Sequence, residues 1–576
     1  MTNLKTIAIV GCGPRGLHAI EKLLQKLSQK ETENWVNILV FEKSGNFGNG
    51  QIYSTDQSVN NWLNLPLREI KIKERPDISL LKLNIKSFPS FHNWANIEKN
   101  DSRTPDEYPT RAKVGEYLQE RFQSLFEALN SVDLITKIPE EVIDANISSD
   151  NIQLITSSEK SFRCDHAALA LGHLPVEPSD QIKKWMEHCD NIPEATLFTS
   201  PYPVSKFDNP EIINHRSIIG IRGYGLSMID VMRELTDTRG GSFHLEDSDT
   251  IKLRYQKGKY CPKKIVPFSL DGLPPAPKPI NKYIDDKFKP SERQLNKLIN
   301  NIEAEISDSP GDLQFIFKHF SPLVAEIFID LDKLCAGKKN EKQVYSSLIT
   351  TWLKDDDHEH ELILSKKIDP VTQIESFIDM ATGNSKISLD YCIGQVWRHC
   401  QHTFYQLLSY RDLPQKVYLK FIDLNERIKR YSYGPPVESM QQQLALIKAG
   451  VMDLTFVKNP EINLTENGWQ FEKNGKSISM NIVADTVLSP PQLIKTKSPL
   501  LQKLLKANHI VPYHKNLGAN TKKSGLVIPG NNENNIPLAI LGRLSIGKNV
   551  GVDSIHESFN GQISNWAKRM INDLLV

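Results

Sequence analysis

Gly11-Cys12-Gly13-Pro14-Arg15-Gly16 follows directly on the apolar run Thr6–Val10 and precedes Leu17, Ile20, Leu24 and Leu27 at helical spacing. Strand, glycine turn and amphipathic helix in unbroken order constrain a chain tightly, because each glycine has its own steric task. Gly11 permits the turn, Gly13 lets a diphosphate approach the backbone, and Gly16 lets helix and strand pack closely. The helix opens at Pro14, and its first turn from Arg15 on offers free N–H groups and the positive end of its dipole to the loop. A second apolar run, Val36–Phe41, ends in Glu42, placed to accept hydrogen bonds from a ribose. The competing reading is an ordinary strand–helix turn with Glu42 a solvated strand end. Strand, helix and terminal acid together weigh against it.

The arrangement recurs in weaker form. Ser217–Ile221 is again a compact apolar run, leading through Arg222 into Gly223-Tyr224-Gly225-Leu226-Ser227 and a helix carrying Met228, Val231, Met232 and Leu235. Met228 stands where a third glycine would, which loosens the helix–strand contact but leaves the phosphate turn intact. Between the loops, His166–Pro175 reads as a small apolar strand ending in Gly172-His173. Two loops about two hundred residues apart predict one domain for a flavin dinucleotide and a second for a nicotinamide dinucleotide. The fold class expected is α/β, with two Rossmann-like domains and a helical insertion.

Length and composition agree with this. The 576 residues are enough for more than one domain, and 70 Lys plus Arg against 69 Asp plus Glu leave a net charge of +1. That balance gives no reason to expect nucleic acid or an anionic membrane as partner. No apolar run reaches the length of a bilayer span, and the N-terminus lacks the apolar block of a secretory signal. The seven cysteines, at 12, 164, 189, 261, 335, 392 and 400, are odd in number and scattered, which favours a reducing compartment, the cytoplasm.

With these loops in place, the sequence resembles the FAD-NAD(P)-binding proteins of the YdhS-like type. The resemblance rests on GCGPRGL at Gly11–Leu17, FGNGQIY at Phe47–Tyr53, WLNLP at Trp62–Pro66 and YPTRAKVGEYL at Tyr108–Leu118. It continues through LALGHLP at Leu169–Pro175, GYGLSMID at Gly223–Asp230, YGPP at Tyr433–Pro436 with LALIKAGV at Leu444–Val451, and LGRLSIGKNVGVDSI at Leu541–Ile555. It implies an FAD site that includes Lys43, Gly50, Asn64, Arg111, Gly172 and His173 beside the first loop and Glu42. It implies a nicotinamide site at Gly223, Gly225 and Ser227. Near the end of the chain, Gly547, Asn549, Gly551 and Asp553 are read as bringing backbone N–H groups and a polar side chain to the isoalloxazine edge; a plain surface turn is the alternative. Arg111 enters a helix, so a simple bridge to an acid competes with a flavin contact.

Four segments are expected: residues 1–205 and 439–576 building the FAD domain, 206–284 the nicotinamide domain with a hairpin over 243–264, and 285–438 a helical cover over the substrate. The run Gly272–Pro279 is a rigid crossing. Flavin plus nicotinamide implies hydride transfer to the flavin and onward transfer of electrons. No C-x-x-C exists, and Cys392 with Cys400 matches no redox spacing, so a disulfide acceptor is disfavoured. Oxygen and a small molecule remain, and without the bulky Baeyer–Villiger fingerprint the sharpest expectation is a monooxygenase of the N-hydroxylating kind. A reductase, dehydrogenase or oxidase without oxygen transfer is the second reading, and a non-catalytic cofactor-binding protein the third. No acid or base is named.

NADPH is favoured over NADH, which is not excluded. The segment in which the family often carries an arginine for the 2′-phosphate reads Ser269-Leu270-Asp271-Gly272, so Arg222, Arg239, Lys263 and Lys264 are the substitute candidates. No metal is expected: the run Asp355–Glu361 reads as a solvated loop. His399 and His402, one helical turn apart, are candidates for lining a pocket or for simple packing.

Overall fold

The computed structural model describes residues 4–30, 36–80, 83–98, 101–148, 151–308, 310–331, 341–530, 536–559 and 561–574. Cys335, named above, lies outside them.

The first glycine unit is built from β1 (Lys5–Val10), α1 (Pro14–Ser28) and β2 (Val36–Phe41). The helix α2 (Arg111–Asn130), β3 (Ile135–Ile138) and β4 (His166–Leu169) follow. With β9 (Leu538–Ile540) from the end of the chain, the strands form one parallel sheet in the order β9-β4-β1-β2-β3. The period of two decides what each face of β1 meets. Ile7 and Ile9 pack with α1, α2 and the C-terminal helix Gly561–Leu574, where Trp566, Ala567, Met570 and Ile571 are buried. Ala8 and Val10 pack against the three-stranded meander of residues 142–164 and against Leu500, Leu501 and Leu504. Chain order reverses between β2 and β4 on either side of β1, which opens a crevice at the carboxyl end of β1.

The second unit comprises β5 (Thr196–Phe198), β6 (Ile218–Arg222), α3 (Leu226–Glu234), β7 (Lys264–Phe268) and β8 (Ile482–Asp485). They make a parallel sheet ordered β5-β8-β6-β7, again with the glycine-loop strand at the reversal. Ile219 and Ile221 face Met228, Val231 and Met232 of α3 and Leu235 at its C-terminal end. Val266 and Val483 face the aromatic layer of Trp185, Trp469 and Phe471. The expected hairpin is present, as Ser242–Asp247 paired with Lys252–Gln256.

Here two expected boundaries move. The nicotinamide sheet takes β5 from before residue 206 and β8 from after residue 439. The return segment 439–576 therefore serves the nicotinamide sheet first, up to β8, and rejoins the flavin sheet only at β9. A buried parallel strand is apolar on both faces, so a run such as Ile482–Ala484 carries no mark of which sheet will take it.

Between β7 and the strand Glu461–Thr465 every described regular element is helical, from Lys282–Asp285 to Val437–Lys448. Its core is aromatic, with Trp397 packed on Phe320, Phe404 and Phe421. The proline run at 272–279 crosses without regular structure, fixed by Ala276 N–H donating to Arg430 O and Lys278 N–H to Pro435 O.

Candidate functional site

At the first loop, Gly11 has φ +94°, and a Cβ there would stand 2.5 Å from Ala170 O at the end of β4. A Cβ on Gly16 would meet Gly11 O at 2.2 Å, so both positions exclude any side chain. Gly13 is different: its nearest neighbours, at Asn49 and Gly50, are 3.8 Å away, which leaves the face open for a diphosphate. Gly13 is the N-cap of α1 and no side chain closes that helix, whereas Thr110 caps α2. Its first N–H groups are therefore available to an anion.

The acid at the tip of β2 does more than the sequence suggests. Glu42 is buried; one carboxylate oxygen accepts from Cys12 N–H at 2.9 Å and the other from Ser44 N–H and Oγ at 3.1 and 2.7 Å. It thus holds the glycine loop to the second strand, at the place where a ribose would bond. Gly50, at φ +62°, closes on Gly13 Cα. Lys43 instead extends outward, 3.5 Å from Glu141.

The second loop repeats the geometry. Gly223 N–H donates to Phe268 O at 2.8 Å, as Gly11 N–H donates to Phe41 O at 2.8 Å. Gly223 has φ +104° and its Cβ would meet Thr486 Oγ1 at 2.8 Å, while Gly225 has open space and α3 has no side-chain cap. The residue matching Glu42 in register is Ser269, and it turns away from the loop: its Oγ accepts from Gly272 N–H and donates to Asp271.

The substitute bases for a 2′-phosphate are largely committed elsewhere. Arg222 bonds Asp485 and Gln181, and Lys264 bonds Asp453. Arg239 is buried and donates to the carbonyls of Phe207, Ile213 and Tyr260. Pairing holds Arg222 and Lys264, and burial holds Arg239, which residue type alone does not disclose.

Around the crevice, the structure gathers residues from distant stretches. His173 Nε2 accepts from Arg543 at 3.1 Å; burial and that neighbouring charge push its pKa down to about 3, so it is neutral. Arg543 also reaches Asp553 at 3.3 Å, and Lys429 bonds Asp553 at 2.6 Å. Burial opposes charge on Asp553, but Lys429 and Arg543 outweigh it and keep the carboxylate below its usual range. Arg15 lies across Gly542 and donates to Val552 O. The flavin loop, Gly172-His173 and Asp553 therefore converge. Gly172, at φ +65°, is open on the side where a Cβ would stand.

Gly547 and Asn549 do not share that cluster. Gly547 backs onto the Tyr513 ring, and the buried Asn549 amide bonds Ser545 and Ser409. Asn64 is likewise engaged: its amide donates to Tyr433 O and accepts from Lys278. Sequence reasoning missed Lys278, whose buried ammonium donates to Asn64 O, Asn64 Oδ1 and Gly434 O at 3.1, 3.0 and 2.6 Å. Burial, then the Arg398 charge, draws its pKa down to about 7. Lys278 pins WLNLP, the proline crossing and YGPP together, a convergence signalled only by its place inside that crossing.

His399 bonds Asp285 at 3.0 Å in a buried ion network with Arg398, Arg68, Glu69 and Asp106. His402 is half-exposed beside Glu557. In the acidic run, Asp356 is bonded by Lys366 and Arg427, and no group of three or more metal-ligating side chains occurs among the described residues. Cys392 and Cys400 are both buried free thiols, with burial pushing Cys400 up to about 12.

Fold and loops define the class: two parallel sheets, each with a glycine loop of the dinucleotide-binding kind, the first of them within a segment that matches an FAD-NAD(P)-binding model. Residues 8–174 match the FAD-NAD(P)-binding family model, and the resemblance to YdhS stands. The YdhS protein of Escherichia coli is 25% identical over 43% of this chain and 42% of its own length. Nitrosuccinic acid synthase of Aspergillus oryzae is 23% identical over 88% of this chain and 82% of its own. A nitrosuccinate-forming L-aspartate N-monooxygenase of Streptomyces davaonensis is 25% identical over 42% of this chain and 40% of its own. The chain thus spans about two fifths of the length of these two bacterial relatives.

Proposed function

We propose that this chain is an FAD-dependent, NAD(P)H-using monooxygenase that oxygenates the amine nitrogen of a small molecule, with NADPH as the favoured reductant. The observation that carries the reading is the similarity to nitrosuccinic acid synthase, 23% identical over 88% of this chain. The open diphosphate face at Gly13, the uncapped α1 and α3 and the closed turns at Gly11 and Gly223 fit the two dinucleotides. Bound flavin supplies hydride acceptance and oxygen activation. The chain's own residues bind and orient: Glu42 holds the flavin loop, Lys278 ties Asn64 to Gly434, and the helical stretch reaches the crevice through Lys429 bonded to Asp553.

A carboxylate-bearing amine of the L-aspartate class is the first substrate to test, on the strength of the relatives named above. The free thiols and the scattered cysteines support a cytoplasmic setting. No helix among the described residues is long and apolar enough to cross a membrane.

The test is turnover with L-aspartate, NADPH and isotopically labelled oxygen, read by mass spectrometry. Label in an N-oxygenated product supports the reading. Hydrogen peroxide equal to the NADPH consumed, with no labelled product from L-aspartate or a panel of amines, would favour an oxidase instead.

A further inference from the structure

Arg111 opens α2 in the flavin domain, yet its guanidinium points across the junction toward the nicotinamide helix α3. The polar contacts of its guanidinium are long: Trp62 O at 3.3 Å, Tyr202 Oη at 3.5 Å and Asp230 at 3.6 Å. Five fixed N–H donors with no short bond are unusual for a side chain only 20% exposed. Asp230, on α3, has 6% side-chain exposure and one short partner, the Tyr202 hydroxyl, which donates at 2.8 Å. Burial works against charge on Asp230, and Arg111 and Arg233 offset that only in part. The same Tyr202 hydroxyl lies 3.4 Å from Ser227 Oγ. Ser227 is in the first turn of α3, directly after the open Gly225.

The helix α3 is seated on the flavin domain by its other polar residues as well. Glu234 accepts from Ser58 Oγ, and the Arg233 guanidinium stacks 3.6 Å from the centre of the Trp62 ring. Through the Tyr202 hydroxyl, this loosely bonded cation is linked to Ser227 in the first turn of α3, where an anion at the second loop would arrive.

We propose that Arg111, although carried by the flavin domain, is a binding residue for the diphosphate of the nicotinamide dinucleotide. On nucleotide binding, its guanidinium exchanges the long contact with Asp230 for phosphate oxygens at the start of α3, and Tyr202 remains as the hinge between acid and loop. The nicotinamide site is then completed only while the two domains are docked. The inference rests on the two-nucleotide reading above and deepens it by reassigning one residue from the flavin to the nicotinamide.

The test is equilibrium titration of the FAD-loaded protein with NADP+ and with NAD+, alongside the FAD dissociation constant. Arg111→Gln is expected to weaken both nicotinamide dinucleotides by about tenfold or more, the size of a lost charge-assisted bond pair. FAD affinity and the visible flavin spectrum stay as in the parent. Should Arg111→Gln fail to fold, Arg111→Lys keeps the charge without the planar fork and reads the same split, with a smaller loss. Unchanged nicotinamide affinity overturns the proposal, as does a loss confined to FAD. A rise in substrate KM with both cofactor affinities intact also overturns it, and makes Arg111 a substrate carboxylate anchor. A parent protein that takes up neither FAD nor NADP+ fails the two-site reading itself, and is recognised before any variant is made.

Discussion

The two glycine loops share a backbone and differ in what surrounds it. In both, the loop glycine donates to the last carbonyl of the neighbouring strand at 2.8 Å, and a neighbouring strand end forbids a Cβ on that glycine. In the flavin unit the strand tip is an acid, Glu42, that bonds back into the loop, and the helix is closed down by Gly16. In the nicotinamide unit the tip is Ser269, folded into its own turn, and Met228 fills the glycine's place. The first helix is also anchored differently. Within the flavin domain, Glu21 of α1 is paired with Arg121 of α2 at 2.7 and 2.9 Å, fully buried. In the nicotinamide unit α3 is instead tied to the flavin domain, through Glu234, Arg233 and Asp230. The first helix of the flavin unit is therefore anchored within its own domain, while that of the nicotinamide unit leans on its neighbour.

The largest effect that bears on this contrast is expected at Gly11. Gly11→Ala places a methyl 2.5 Å from Ala170 O at a left-handed φ, so the purified variant should retain no FAD after gel filtration. Retained yellow colour would break the account of the flavin loop.

Next is Glu21. Burial opposes its charge, but the Arg121 charge outweighs it and lowers the pKa from 4.5 to about 2. A depressed carboxylate contributes stability above its unfolded pKa and loses it as pH falls through the folded one, here between 4.5 and about 2. Glu21→Gln should cost about 3 kcal/mol in urea unfolding at neutral pH. It should also flatten the acid limb in that window. Equal midpoints for parent and variant would show that the clamp is not stabilising.

Glu42→Gln should weaken FAD by about tenfold without altering NADP+ affinity, because the amide keeps the shape but loses the charge that Cys12, Ser44 and a ribose share. A parallel loss for NADP+ would erase the distinction between the two tips. The smallest change is expected from Leu270→Arg, which sets a guanidinium at an 86% exposed position beside Ser269. It should shift the NADPH-to-NADH ratio of kcat/KM several-fold, about threefold to tenfold, toward NADPH. No shift would mean that the 2′-phosphate lies away from this turn.

What could be read in advance follows from range. Both loops, their strands and helices, the terminal acid and the helical character of the stretch after the second unit are local patterns, and they stand where the sequence puts them. The strand at Ile482–Asp485 was misplaced because its apolar residues say "buried" without saying beside which strand. Asp230 sits inside a motif that was recognised, yet its partner Arg111 is more than a hundred residues away and no period links them. Lys278 was passed over for a related reason: amid prolines a lysine reads as solvated, and only the folded crossing brings Asn64 and Gly434 around it. Gly547, Asn549 and Asp553 read in the sequence as one turn, and the folded backbone gives each a different neighbour: Tyr513, Ser545 and Lys429.

The central claim is that the loop at Gly11 holds FAD and the loop at Gly223 delivers the nicotinamide that reduces it. Anaerobic mixing of the FAD-loaded protein with NADPH, followed by the visible flavin absorbance, tests it directly. Bleaching in the parent, together with a Gly223→Ala variant that keeps its FAD and bleaches with dithionite but not with NADPH, is the predicted result. A protein that cannot be loaded with FAD, or a Gly223→Ala variant that NADPH reduces as fast as the parent, would contradict it.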